Sequence, residues 1–320
     1  MPAFKAPAPG FAVRFSPFHE NRLLAAASQH FGLVGNGHLL VLDLAAGGPG
    51  AAPAPVFSFP TSDALFDCAW SESHESLCAA ASGDGSVRLF DAALPPAQNP
   101  VRLLREHARR EVHGLDWNPV RRDAFVSASW DDTLKLWSPD RPASVRTFRG
   151  HEYCVYAAAW SARHPDVFAS ASGDRTARVW DVRDPAPTLV IPAHDHEVLS
   201  LDWDKYDPSI LATASVDKSI RVWDVRSPRA PLAQLAGHGY AVKRVRFSPH
   251  RQGMIMSCSY DMTVCMWDYR AEDALLARYA HHTEFVAGID MSVLVEGLLA
   301  SAGWDEMIYV WPFGTDPRAV

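Results

Sequence analysis

The stretch "FASASGDRTARVWDVR" at residues 168–183 is nearly restated 43 residues later as "LATASVDKSIRVWDVR". A phrase repeated at a fixed period constrains the fold more than composition does, because it marks one structural unit stacked many times. The aromatics that close the copies set the period: Phe90, Trp137, Trp180, Trp223, Trp267 and Trp311 lie 47, 43, 43, 44 and 44 residues apart. An aspartate stands six residues before each, at Asp84, Asp131, Asp174, Asp217, Asp261 and Asp305. A histidine precedes the last five aromatics by 29 or 30 residues, at His107, His151, His194, His238 and His282. Another aromatic or Met closes an earlier strand of each copy, at Trp70, Trp117, Trp160, Trp203, Phe247 and Met291. The N-terminal "FAVRFSP" and "HLLVLDL" read as a degenerate first copy, with Phe15 and Leu42 in the aromatic slots and Asn36 in the aspartate slot. Seven copies fill the chain.

This pattern resembles the WD40 repeat over essentially the whole sequence. The resemblance implies an all-β fold, a seven-bladed propeller with four short strands per blade. One blade cannot bury both its faces, so closing seven into a ring is what creates the core. It also implies a hydrogen-bonded set in each blade joining the histidine, a strand hydroxyl, the aspartate and the tryptophan. Ser127, Ser170, Thr213, Ser257 and Ser301, four residues before the aspartates, are the expected hydroxyls. His107, Asp131, His151, Asp174, His194, Asp217, His238, Asp261, His282 and Asp305 are therefore read as structural. Each pair recurs in its own blade instead of converging on a metal or a catalytic centre. Only nine residues follow Trp311 and ten precede Phe11, so the last blade is expected to have a short or missing outer strand. One propeller domain is expected over 1–320, with a flexible loop at about 44–56 where "LAAGGPGAAPAP" runs.

Composition narrows the setting. A net charge of -7 argues against nucleic acid as the main partner. No apolar run reaches the roughly 18 to 20 residues of a membrane span. The opening "MPAFKAPAPG" lacks a signal-peptide pattern, and "DPRAV" matches no retention or lipidation signal. Five cysteines without paired spacing suit a reduced, cytosolic chain. No nucleophile–base pair, phosphate-cradling loop or metal cluster stands out, so neither an enzyme nor a cofactor is expected.

Function is expected where the loop after each histidine and the turn holding each aspartate share one face of the ring, its top. The residue before the turn aspartate is Trp130, Tyr260 or Trp304 in three copies, side chains of the kind that anchor interfaces. Four residues before the inner-strand aromatic lie Phe66, His113, Tyr156, Leu199, Lys243 and Ala287. Six before it lie Glu111, Cys154, Glu197 and Phe285 among others, with Asp63 and Glu284 alongside. Carboxylates mixed with aromatics suit a cationic, amphipathic ligand.

A narrower resemblance rests on segments outside the generic repeat. These are "FSPFHENRLLAAASQHFGLVGNGHLLVLD" at 15–43, "LFDCAWSESHESL" at 65–77, "IPAHDHEVLSLDWDKYDPSILATASVD" at 191–217 and "HHTEFVAGIDMS" at 281–292. They are similar to the family of peroxisomal import receptors for type-2 targeting signals, in a plant-like form, with "QHFGLVGNG" replacing an ordinary blade turn in that family's way. The resemblance implies a cytosolic receptor that binds the nonapeptide Arg-Leu-x5-His-Leu of matrix proteins as a helix. It implies a shuttle to the peroxisome, membrane and matrix, with a co-receptor (the long form of the type-1 signal receptor) and docking proteins. The signal-binding residues expected on this reading are Asp63, Phe66, Glu111, His113, Trp130, Tyr156, Glu197, Tyr260, Phe285 and Trp304.

Other classes compete. "VWDVR" at 179–183 and 222–226 and "MWDYR" at 266–270 resemble the Trp-Asp-x-Arg motif of WD40 substrate receptors for a cullin-4 ubiquitin ligase, with Arg183, Arg226 and Arg270 as contacts. "VHGLDWNP" at 112–119 is similar to histone-binding propellers, and a generic scaffold is the third alternative. "RLLAAASQH" at 22–30 nearly spells a type-2 signal itself, but it ends on His30 and falls within a blade strand.

Overall fold

The structure, a computed structural model, describes residues 3–46 and 52–315. Seven four-stranded antiparallel sheets form a closed ring. Blade 4 shows the plan: Val155–Trp160 lies innermost, followed outward by Val167–Ser172, Thr176–Asp181 and Pro187–Pro192. Its second strand, VFASAS, is buried on both faces beyond its first residue. The same holds for LCAAAS and ILATAS in blades 2 and 5. Ala, Ser and Thr stand there because blades converge towards the axis and leave no room for larger side chains between sheets. Outer strands alternate instead, as in the half-exposed pattern of Pro187–Pro192, because one face meets solvent.

The core lies between blades. Ala159, Val179 and Ile191 of blade 4 pack with Leu201, Trp203 and Leu211 of blade 5. Ring closure buries Val13, Leu23 and Leu40 of blade 1 against Ala300, Ile308 and Val310 of blade 7. The last blade does have an outer strand, and it is short: Ala3–Lys5 from the N-terminus pairs with Met307–Pro312 through Ala3–Tyr309, Phe4–Ile308 and Lys5–Met307. Three residues at one chain end thus close the ring against the other. The centre of the loop expected at 44–56, residues 47–51, lies outside the described residues, and 54–56 already belong to the outer strand of blade 1, Ala54–Thr61.

Four blades carry a four-membered hydrogen-bond chain. In blade 4, Trp180 Nε1 donates to Ser170 Oγ (2.8 Å), Ser170 lies 2.6 Å from His151 Nε2, and His151 Nδ1 lies 2.7 Å from Asp174 Oδ2. With the carboxylate ionised, the chain runs one way, each N–H or O–H donating to the next acceptor. Blades 3, 5 and 6 repeat it through His107–Asp131 (2.9 Å), His194–Asp217 (2.8 Å) and His238–Asp261 (2.9 Å). Blade 7 departs: His281 and His282 both bond Ser301, at 2.9 and 2.8 Å, and Trp311 Nε1 is buried without a partner. Blade 2 lacks three members together. Ala80 and Phe90 replace the hydroxyl and the indole, and Arg88 at 3.1 Å takes the histidine's place beside Asp84. Asn36 makes no such set; it ends an exposed loop, its N–H donating to Gln29 Oε1.

Burial pushes the Asp174 carboxyl up, but hydrogen bonds from His151 and Thr176 outweigh it and hold the group well below the usual range. Asp174→Ala strands the buried His151 and removes bonds to Thr176 and Arg178. We expect a loss of about 2 kcal/mol or more, read as a lower midpoint of chemical unfolding. An unchanged midpoint contradicts the structural role.

Candidate functional site

The top of the channel is built by a local irregularity repeated seven times. Every inner strand shifts register by one residue, as between Val112 and Gly114 or between Val155 and Ala157. The extra residue in each case is the one four before the closing aromatic. Phe11, Phe66, His113 and Tyr156 occupy it in blades 1 to 4, and Leu199, Lys243 and Ala287 in blades 5 to 7. A bulge re-aims its side chain out of the pleat. Seven bulges therefore turn seven side chains towards the mouth. The next position is mostly Gly, Ala or Ser because backbones nearly touch there; a Cβ on Gly114 would lie 2.9 Å from Ala157 Cα.

Aromatic rings then run continuously over most of this face. Tyr260 stacks on Phe285 (4.8 Å between centroids), and Phe285 meets Trp304 at 5.2 Å. Trp304 touches Phe31 at 5.1 Å and Phe11 at 5.7 Å, and Phe11 leads to Phe66 at 5.5 Å. His113 is sandwiched between Phe66 (4.2 Å) and Trp130 (4.3 Å). Tyr156 closes the belt edge-on to Trp130 at 5.9 Å, and its hydroxyl donates to Glu197 Oε2 at 3.3 Å. Burial, then Lys243 and Arg244, pulls His113 well below its ordinary value, so it is a neutral ring in the stack.

The structure brings eight of the ten expected residues into this belt: Phe66, His113, Trp130, Tyr156, Glu197, Tyr260, Phe285 and Trp304. Two expectations need correction. Trp130 and Trp304 are not exposed rims; both are half-buried and their indole N–H groups are covered, so they offer ring faces. Asp63 and Glu111 are not free: Asp63 lies 3.6 Å from Arg88, and Glu111 lies 3.7 Å from Arg110. Among the described residues the Glu197 carboxylate has no cation within ion-pair distance, and the one hydrogen bond to it comes from Tyr156.

Two members escaped sequence reasoning. Phe11 holds the bulge position of the degenerate first copy, a signal available from Phe15 by counting back. Phe31 sits in the loop 29–36 between Arg22–Ser28 and Gly37–Asp43, with no repeat counterpart to point to it. That loop folds over the belt because Gly32, at φ +77°, approaches Phe66 so closely that a Cβ would lie 2.6 Å from its Cε1. Its tip leaves Phe31, Leu33 and Val34 exposed at 49, 84 and 67%, an apolar edge continuous with the rings. "RLLAAASQH" is the buried second strand of blade 1 running into this loop, so it is not displayed as a signal.

Below the belt, charged side chains fill the channel. Arg244 of blade 6 reaches Asp67 of blade 2 at 2.9 Å, and Arg14 stands 3.9 Å from the same carboxylate. At the bottom, Asp116, Asp202 and Asp290 each accept the backbone N–H of the next blade, from Trp160 (2.7 Å), Phe247 (2.8 Å) and Phe15 (2.8 Å). Burial pushes the Asp116 carboxyl up to about 7 and Asp290 up to about 6, with Arg14 drawing both back. A raised carboxyl binds its proton more tightly folded than unfolded, so its contribution to stability falls as pH rises from about 4 to its folded value. Asp116→Asn fixes the neutral form. Its stability relative to the unsubstituted chain should therefore improve between about pH 4 and 7 and level off above that. A gap that stays constant in melts across that range contradicts the assignment.

Among the described residues no group of three or more His, Cys, Asp or Glu is placed to hold a metal, and no helix is long and apolar enough to cross a membrane. Arg183 and Arg226 are exposed and folded back on their own motifs' aspartates, Asp181 at 2.8 Å and Asp224 at 2.9 Å.

Seven blades, five of them knit by a His–Asp pair, with a belt of rings over one mouth, define a WD-repeat β-propeller. The WD domain, G-beta repeat model matches residues 53–91 and 98–138, and the EIPR1 beta-propeller model matches 141–267. The chain is 66% identical over 252 residues to Peroxisome biogenesis protein 7 of Arabidopsis thaliana, covering 79% of this chain and 78% of that one. It is 54% identical over 242 residues to the Peroxisomal targeting signal 2 receptor of Homo sapiens, covering 75 and 72%. A further match, to the Peroxisomal targeting signal 2 receptor of Saccharomyces cerevisiae, is 46% identical over 138 residues, covering 43 and 35%. The chain belongs to the family of the peroxisomal targeting signal 2 receptors.

Proposed function

We propose that this chain binds the type-2 nonapeptide of peroxisomal matrix proteins as a helix laid across the aromatic belt. It acts as a receptor and not as an enzyme. It takes up cargo in the cytosol and delivers it to the peroxisome together with a co-receptor and docking proteins. The observation that carries this reading is the belt itself, rings from six blades ending on Glu197, a half-buried carboxylate without a cation. Signal positions 1 and 8 lie seven residues apart, hence on one helix face and about 10 Å from each other. Positions 2 and 9 lie on the adjoining face. An Arg at Glu197 sets the polar stripe at one end of the belt, while the leucines turn to Trp304, Phe285 and the loop edge at Phe31. Asp63 and Glu111 act at the rim, where their arginines already neutralise them.

The test is capture of a reporter bearing Arg-Leu-x5-His-Leu by the purified chain, with and without co-receptor, against a reporter with position 1 changed to Glu. Retention of the first and loss of the second is the expected result; equal retention contradicts it.

A further inference from the structure

We propose that the channel beneath the belt is a binding site for one small monovalent anion, a chloride or a carboxylate, held chiefly by Lys243. The free-ion arm does not rest on the receptor reading; the peptide-carboxylate arm does. The chamber lies between the upper bulge ring and the bottom mouth, and its lining includes Arg14, Asp67, His113, Tyr156, Lys243 and Arg244. Its volume is about 20 Å³, room for one water-sized occupant and too little for phosphate or sulfate.

The charges around it do not balance locally. Four cations line the chamber (Arg14, Lys243, Arg244 and Arg246) against one carboxylate, Asp67. Asp67 is already shared between Arg244 at 2.9 Å and Arg14 at 3.9 Å. Arg246 leans down to Asp202 at 3.8 Å, which Lys205 also holds at 2.7 Å. Asp116 and Asp290 lie in the bottom ring and spend one oxygen each on backbone N–H groups. Among the described residues, Lys243 is the one of these four cations whose side chain has no ion pair and no hydrogen bond; it is half-buried. Two ring and guanidinium nitrogens here, His113 Nε2 and Arg246 Nε, are buried without partners among the described residues. A half-buried cation in a chamber rich in positive charge is stabilised when a counter-ion joins it. Burial, then Arg244, pulls Lys243 down to about 8, so it carries its charge at neutral pH.

A chloride enters from solvent. A carboxylate comes from an Asp or Glu of a peptide lying over the belt. Thermal melts of the full chain at matched ionic strength separate a bound ion from screening, since gluconate is too large for the chamber. We expect chloride, bromide and formate to raise the melting temperature over gluconate, and Lys243→Met to abolish that increment. A crystal grown in bromide should show an anomalous peak beside Lys243 Nζ. If the variant does not fold, the bromide peak alone decides. Identical melts in all four salts with no peak in the channel, or an increment that survives in Lys243→Met, overturn the site. The source is read from competition. Chloride should weaken a nonapeptide carrying Asp or Glu in its variable positions, and spare one with Asn or Gln, only if the peptide's carboxylate occupies the chamber. A rise with chloride in the free chain and no such competition assigns the site to the free ion.

Discussion

Glu197→Arg should abolish capture of the nonapeptide, while Glu111→Arg should weaken it only slightly. Both carboxylates stand at the same register of their blades, so the difference lies in their surroundings. Glu197 is half-buried at the end of the ring belt, takes one hydrogen bond from Tyr156, and faces no cation. A helix laid over those rings excludes water around it, and removing one member of a desolvated charge pair costs about 2 to 5 kcal/mol. That is a loss of roughly 30-fold to several thousand-fold in affinity. Glu111 keeps 35% of its side chain exposed beside Arg110, and such rim pairs are worth about 1 kcal/mol or less. Both variants should melt as the unsubstituted chain does, since neither carboxylate anchors a strand. Equal effects from the two reversals contradict the assignment of Glu197 as the principal contact.

The largest effect on stability should come from Asp67→Ala. Asp67 is 3% exposed and joins three blades: it meets Arg244 across the channel at 2.9 Å and accepts the N–H of Leu115 in blade 3 at 3.0 Å. Its truncation leaves Arg244 and Arg14 facing each other without a carboxylate. Breaking a buried pair from one side costs about 3 to 5 kcal/mol. Replacing both partners by apolar residues, as in Asp67→Leu with Arg244→Met, should recover much of that loss, because no charge is then left unpaired. Chemical unfolding midpoints check both. A cost for Asp67→Ala below that of Asp174→Ala would mean the cross-channel pair does not brace the ring.

Much of this was legible in the sequence, for physical reasons. The Asp-to-aromatic spacing recurs in step from Asp84 to Trp311, and in blades 3 to 6 each pair serves one hydrogen-bond chain inside one blade. The short last strand followed from arithmetic at the chain ends. Counting back from the inner aromatics found Phe66, His113 and Tyr156, yet gave no hint that a bulge aims them at the channel. What stayed hidden depends on contacts between blades. Nothing local to Asp67 announces Arg244, 177 residues away. The arginines that occupy Asp63 and Glu111 are long side chains whose direction no spacing fixes. Phe31 lies in a loop with no counterpart in the repeat, so register could not reach it.

Recognition of the signal centres on one contact, between Glu197 and the arginine at signal position 1. A double-mutant cycle measures it directly, by titrating Glu197→Gln and the unsubstituted chain with labelled nonapeptides carrying Arg or Gln at that position, at constant salt and co-receptor. The expected coupling energy is about 1.5 kcal/mol or more, with Glu197→Gln barely distinguishing the two peptides. A coupling energy near zero, each chain preferring the Arg peptide by the same factor, contradicts it.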